Sequence, residues 1–204
     1  AAFVEEHGEL LAADFCMNAD SGIGLADNPS IVYGLRGMAY FELWVYGPQS
    51  DLHSGMFGGA VHNPANVLCA LIAGMHAADG RITLPLCYEN VQPLSEDERA
   101  SFARLPYDEE SVRASAANPP ALFGEDGFST IERIGARPAL DVNGLCSGFI
   151  GEGSKTVLPA KAMAKLSMRL VPDQDPSEIA RSLRVYLLER APETVRWELK
   201  ELAH

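Results

Sequence analysis

Four stretches of the chain carry the residue patterns of β-strands. Residues 36–46 are rich in aromatic and branched side chains, and Gly47-Pro48 follows them as a turn signal. Residues 139–150 and 160–171 predict two further strands, and the second of these mixes apolar with basic residues, as in a sheet that is covered on one face. Residues 194–202 alternate apolar and polar side chains strictly, which predicts a fourth, half-buried strand.

Two helices are predicted from apolar residues at helical spacing. The first follows Asn63, a good N-cap, and Pro64, which suits the first helical position; Gly80 is the expected stop. The second follows Asp175, with Pro176 next and a glutamate at the capping-box position.

The predicted order from residue 36 is strand, helix, strand, strand, helix, strand. This is the split βαβ arrangement of ferredoxin-like α+β domains, with one four-stranded antiparallel sheet and two helices on one face. Residues 81–136 contain several prolines and short helical pieces, such as 96–104 and 129–134, so we interpret them as a helical insertion in this α/β domain. The fold alone says little about function, because many activities use it.

The first part of the chain has a separate pattern. Residues 2–13 predict a helix, and an apolar run after it predicts a strand that ends at Asp20. No helix start signal precedes residue 1, so we expect the sequence to begin within a domain.

Composition excludes several classes of protein. The net charge of −12 argues against nucleic acid binding, which needs a basic face. No apolar run approaches the roughly 20 residues that span a bilayer, and the first residues lack a signal-peptide pattern. The four cysteines are scattered without a CxxC pair, so we expect free thiols in a cytoplasmic protein and a core position for Cys69.

The string Asp51-Leu-His-Ser-Gly55 is the sharpest local feature with chemical potential. It lies in a predicted glycine-rich loop, residues 49–61, just before a helix start. His53 could donate a hydrogen bond to an oxyanion there. The alternative is a loop histidine that is bonded to nearby backbone.

Three further residues have weaker signals. Arg169 could bind a carboxylate through its planar fork, and Thr156 could add a hydroxyl donor; the alternative is an arginine paired with a surface acid. Asp20 follows an apolar run, where carboxylates bind metals or simply form turns.

Several motifs together resemble the carnosinase-like dipeptidases, which belong to a wider family of two-zinc metallopeptidases with desuccinylases, aminoacylases and glutamate carboxypeptidases. They are Tyr33-Gly-Leu-Arg-Gly37, the Asp51–Gly55 string with Gly58-Gly59, Lys155-Thr-Val-Leu-Pro159 and Ser167-Met-Arg-Leu-Val-Pro172. They occur in family order and cover roughly residues 15–175.

The resemblance implies a role for each candidate. Asp20 matches a carboxylate that binds one of two metal ions, and His53 matches a lid histidine that stabilises the oxyanion in the partner subunit's active site. Thr156 and Arg169 match groups that hold the carboxylate of a small peptide substrate. Residues 1–34 would be a fragment of the catalytic domain's first half, and residues 35–204 the dimerisation (lid) domain of a homodimer.

The family's other metal ligands and its general base have no counterpart here. A single carboxylate cannot hold catalytic zinc, which usually needs three protein ligands per ion. We therefore expect two zinc or manganese ions in the full-length dipeptidase, none bound by this chain, and no activity from this chain alone.

Two rival interpretations stay open. One is an acylase or desuccinylase of the same family, although the insertion and the Asp51–Gly55 string favour a dipeptidase. The other is a non-catalytic ferredoxin-like module for dimerisation or ligand binding. The flanking sequence would distinguish this module from an enzyme of the family, because only the enzyme requires metal-binding segments on both sides.

Overall fold

A computed structural model describes residues 2–16, 32 and 34–203. The chain divides into two compact units, Ala1–Leu35 and Arg36–His204. In the first unit, helix α1 (Ala2–Glu6) buries no residue, and turns follow it to Leu11. The predicted helix over 2–13 was too long, because so short and exposed a helix has no packed face to extend it. Phe15 and Cys16 are not in a strand, and Asp20 lies outside the described residues.

The second unit contains the sheet and the other helices of the described chain. Its strands are β1 (Gly37–Tyr46), β2 (Leu52–His53), β3 (Ala139–Ser147), β4 (Val157–Leu158), β5 (Lys161–Leu170) and β6 (Arg196–Ala203). Its helices are α2 (Ser54–Phe57), α3 (Pro64–Ala73), α4 (Glu96–Ala103), α5 (Glu109–Ser115), α6 (Thr130–Ala136) and α7 (Pro176–Arg190).

Four strands form one antiparallel sheet in the order β3-β5-β1-β6. This is the strand order of the ferredoxin-like fold, so the predicted fold class is confirmed. The four predicted strands are all present, and each is within about three residues of its predicted bounds. Strands β2 and β4 form a second, two-stranded sheet.

One face of the main sheet is buried, as the alternation predicted. Every second residue of β1 from Ala39 to Val45 is buried, and β5 buries Ala162, Ala164, Leu166, Met168 and Leu170. Helices α3 and α7 pack against these strands and bury Leu68, Leu71, Leu183 and Leu187 in the same core. The Tyr186 hydroxyl of α7 donates to the Leu71 carbonyl of α3 at 2.8 Å, which joins the two helices.

The other face of the sheet is polar. Glu42 accepts hydrogen bonds from Trp44 Nε1 at 2.6 Å and from Lys165 Nζ at 3.0 Å. These two hydrogen bonds, with the charge of Lys200 nearby, lower the pKa of the Glu42 carboxyl. Side-chain pairs of this kind suit a sheet face that is in contact with water.

The insertion consists of short helices that an ion pair holds to the start of β3. The guanidinium of Arg137 binds the Glu125 carboxylate through two hydrogen bonds, at 2.7 and 2.8 Å, and the two side chains are only 9% and 10% exposed. The same guanidinium lies over the rings of Tyr88 and Phe128. Two predicted helices correspond to α4 and α6, whereas α5 was not predicted.

Three local predictions were wrong. Helix α3 ends at Ala73 with Gly74 as its C-cap, rather than at Gly80, because residues 75–83 turn back in a bridge between His76 and Ile82. The predicted loop over 49–61 contains β2 and α2. Cys69 is exposed on α3, whereas Cys87 is the buried cysteine; all four thiols are free, as expected.

No helix in the described part of the chain is both long and apolar enough to cross a membrane.

Helix α7 offers a matched test of the core. Leu183 is 0% exposed and Leu188 is 71% exposed. We expect Leu183→Ala to lower the free energy of unfolding by about 2–5 kcal/mol, because it leaves a cavity. Leu188→Ala should change it by less than about 0.5 kcal/mol. Chemical denaturation measures both, and equal losses would contradict the packing of α7.

Candidate functional site

The candidate histidine stands at the end of β2, where the short β2–β4 sheet holds it. Leu52 pairs with Leu158 and His53 pairs with Val157. The Ser54 amide donates to the Thr156 carbonyl at 2.9 Å, and the Ala160 amide donates to Asp51 Oδ1 at 2.8 Å. These bonds join residues 51–54 to residues 156–160 on both sides of His53.

The hydrogen bonds of the His53 ring indicate which of its two nitrogens carries the proton. The Gly55 amide donates to His53 Nδ1 at 3.0 Å, so this nitrogen is the acceptor and His53 is the N-cap of α2. A neutral imidazole carries its one proton on the other nitrogen. Nε2–H therefore donates to Thr156 Oγ1, which lies 3.1 Å away.

Gly55 leaves room for that ring. A Cβ atom at position 55 would lie 2.9 Å from His53 Cε1, which is closer than real Cβ contacts. Any larger residue would push the imidazole away from Thr156. Position 55 is thus a glycine for a steric reason. Asp51 has a structural role, because it accepts the hydrogen bond of the Ala160 amide.

The structure brings His53 and Thr156 together but leaves Arg169 elsewhere. Thr156 directly precedes β4, whereas Arg169 is near the far end of β5. Eight residue steps from Lys161 to Arg169 correspond to roughly 26 Å of strand. Arg169 is exposed and stands opposite Met38 on β1 and Ala139 on β3.

The described residues do not fit a metal ion by themselves. Within residues 2–16, 32 and 34–203, no group of three or more His, Cys, Asp or Glu side chains is placed to hold one. The predicted ligand Asp20 lies outside these ranges.

A cavity of about 470 Å³ lies beside residues 54–63, the segment that follows His53. Ser54, Gly59, His62, Leu158 and Thr194 are among its lining residues, and His53 is not. The His53 imidazole is therefore not part of this cavity. His62 Nδ1 lies 2.6 Å from Thr194 Oγ1.

Sequence reasoning did not single out Arg36, a further guanidinium in the neighbourhood of Arg169. It lies directly before β1, and β1 pairs Met38 with Arg169. Burial and the charge of Arg169 lower the pKa of Arg36, and the charge of Asp141 opposes this shift. The only available signal was its position in the Tyr33–Gly37 string, because its nearness to Arg169 depends on strand register.

Two helices on an antiparallel sheet of this order, with a His–Thr pair carried by a second small sheet, define an α+β domain of the ferredoxin-like class. The chain belongs to the peptidase dimerisation domain family, whose model matches residues 33–195. This match confirms the family resemblance that the sequence motifs predicted.

Proteins with similar sequences have names that fit this family. The Cys-Gly metallodipeptidase of Schizosaccharomyces pombe is 33% identical over 159 residues, covering 78% of this chain and 33% of that protein. The human Beta-Ala-His dipeptidase is also 33% identical over 159 residues, covering 78% of this chain and 31% of that protein. The chain thus spans about a third of the length of these relatives.

Solved structures agree as well. An M20 family metallo-carboxypeptidase from Sulfolobus solfataricus aligns with a TM-score of 0.78 at 29% identity, covering 97% of this chain and 45% of that one. Human carnosine dipeptidase 1 aligns with a TM-score of 0.69 at 30% identity, covering 85% and 37%.

The His53–Thr156 hydrogen bond can be tested in the chain itself. Thr156→Val removes the acceptor of the Nε2 proton, whereas Thr156→Ser keeps it. We expect the valine variant to shift the His53 Nε2 and Hε2 resonances toward a solvent-exposed imidazole, and the serine variant to leave them near the wild-type values. Nitrogen-15 NMR of the imidazole measures this, and unchanged resonances in the valine variant would remove the bond.

Proposed function

We propose that residues 35–204 are the dimerisation (lid) domain of a metal-dependent dipeptidase, and that residues 1–34 are part of its catalytic domain. The observation that carries the proposal is the His53–Thr156 pair, which places a ring N–H donor at the exposed end of the two-stranded β2–β4 sheet. The names of the relatives favour a dipeptidase over an acylase or a non-catalytic module.

In this proposal, His53 stabilises negative charge on the substrate. When water adds to an amide carbonyl, the carbonyl oxygen becomes an oxyanion, and a placed N–H group stabilises it. His53 Nε2–H is such a donor, because Nδ1 is already occupied by the Gly55 amide. Thr156 Oγ1 holds the proton in place until substrate arrives, and its hydroxyl can then bind the substrate.

The metal ions would be bound outside the described residues. Two zinc or manganese ions in the rest of the protein would supply the activated water. This chain contributes binding and orientation: an oxyanion donor from His53 and a carboxylate site at Arg169, whose fork suits the free carboxylate of a small peptide.

The separation of these two groups requires more than one subunit. A dipeptide extends over about 7 Å of chain, far less than the length of β5 between the two groups. One substrate therefore cannot reach His53 and Arg169 of the same chain. A homodimer resolves this if His53 and Thr156 act in the partner's active site and Arg169 acts in the site of its own subunit.

The β3 edge of the sheet and helix α3 are the proposed dimer surface. An edge strand offers unpaired backbone groups to a second chain. β3 exposes the apolar side chains of Val142 and Leu145 and one charge, Asp141, whereas the opposite edge strand, β6, exposes several charges, among them Glu198, Lys200 and Glu201, beside Leu202. Charges of this kind discourage strand pairing, so the β3 edge suits a second copy better. We place the enzyme in the cytoplasm, consistent with its acidic surface and free thiols.

His53→Ala in the full-length enzyme should lower kcat by about a hundredfold or more, the scale for losing one oxyanion donor. His62→Ala is the matched control, because His62 is also an exposed histidine of this loop but bonds to Thr194. We expect the control to keep nearly the full rate. Steady-state kinetics on dipeptides measures both, and a near-normal rate for His53→Ala would remove His53 from the mechanism.

Mixing two inactive variants tests whether His53 of one subunit acts in the active site of the other. When His53→Ala and Arg169→Ala enzymes are unfolded and refolded together, half of the dimers are mixed. One site of each mixed dimer then has an intact His53 and an intact Arg169, so about a quarter of the wild-type activity should return. If both groups came from one chain to one site, no activity would return, which would refute the shared site.

A further inference from the structure

Three arginines without a carboxylate partner gather near the start of β3. Within residues 34–203, Arg36, Arg133 and Arg169 form no ion pair. Arg36 and Arg133 line a cavity of about 320 Å³. Ala139, the strand partner of Arg169, lines it too.

Neighbouring carboxylates neutralise little of the positive charge of these three arginines. Arg137 is already neutralised by Glu125, and Arg133 donates its Nε proton to the Glu125 backbone carbonyl at 2.9 Å. Asp141 is the remaining carboxylate among the cavity's lining residues, and it makes no ion pair in the described chain. Among the lining residues, the unpaired cations Arg36 and Arg133 therefore outnumber the one unpaired carboxylate, Asp141.

Arg36 is the best placed of the three to act with Arg169. It is half-buried, and its one hydrogen bond to the described residues is a long one, from Nη1 to the Arg137 carbonyl at 3.4 Å. It lies two positions before Met38, the strand partner of Arg169, and the charge of Arg169 is near enough to lower the pKa of Arg36. Neighbouring guanidinium groups repel each other, and anions placed between or beside them relieve the repulsion.

We propose that Arg36 is a specificity-determining residue that binds a second carboxylate of the substrate, next to the α-carboxylate that Arg169 binds. The inference rests on the proposed function and deepens it: the enzyme prefers dipeptides whose C-terminal residue is acidic. The two carboxylates of glutamate are a few carbon atoms apart, so one residue can contact both arginines. The cavity behind Arg36 gives the acidic side chain room.

Kinetics of the full-length enzyme tests this preference. The substrates are Ala-Glu and its uncharged isostere Ala-Gln. Wild-type enzyme should have a kcat/KM at least about tenfold higher for Ala-Glu, the scale of a charge-assisted hydrogen bond. Arg36→Gln should abolish this preference by slowing only Ala-Glu. Arg181→Gln, which removes the same charge from the exposed face of α7, should preserve it.

The outcomes separate the two proposals. Hydrolysis of Ala-Gln without a preference for Ala-Glu, or an equal loss on both peptides in Arg36→Gln, overturns the role of Arg36 and leaves the dipeptidase intact. Failure to cleave any dipeptide overturns the dipeptidase instead.

Binding without turnover tests the arginine pair directly. In calorimetric titration of the same enzyme with glutarate, a dicarboxylate, Arg36→Gln should weaken binding at least about tenfold, while butyrate binding changes little. Asp141→Asn should strengthen glutarate binding, because it removes the one competing carboxylate. Equal glutarate affinity in wild-type and Arg36→Gln enzyme, or no binding by either, would overturn the proposal.

Discussion

The antiparallel pairing of β1 with β5 is the constraint on which the other features depend. The two strands pair along their whole length, from Gly37 opposite Leu170 to Tyr46 opposite Lys161. This register brings the segment after β1 to the segment before β5, where the Gly47 amide donates to the Ala160 carbonyl at 2.9 Å. Residues 51–54 and 156–160 then pair, and His53 meets Thr156. At the opposite end of the same strands, the register brings Arg36 towards Arg169.

The buried face of the sheet maintains this register. A shift of one residue would turn the buried side chains of β1 and β5 to the polar face and Glu42 with its lysine partners into the core. The cost of such a shift is the loss of most of the apolar core, so the positions of both candidate sites follow from hydrophobic packing. The insertion adds a second restraint, because the Arg137–Glu125 pair fixes the start of β3 next to Arg36.

A rigid strand also explains why the domain would work as a dimer. It keeps the His53 imidazole at one end and the Arg169 guanidinium at the other, too far apart for one small peptide. Under the proposed function, two copies exchange their histidines, so each active site is complete only after assembly. An isolated chain would then fold around its own core yet lack the partner groups and the metal centre.

The sequence by itself determined the fold class, the four strands, the two helix starts at Asn63 and Asp175 and the family. These features depend on local physical rules: alternation, helical spacing and capping act within a few residues, and the motif strings are contiguous. The positions of His53, Thr156 and Arg169 in the chain were also identified from those strings. Their roles stay predictions.

Only the tertiary structure decided which of these residues meet. His53 and Thr156 are 103 positions apart and bond across a two-residue strand pair that no pattern indicated. The Cys69 error arose because an apolar helix has an outer face, and which residues lie on it depends on the sheet beneath. The nearness of Arg36 to Arg169, and the distance of both from His53, follow from strand register, because contacts between distant segments are selected by packing of the whole core rather than by the local sequence.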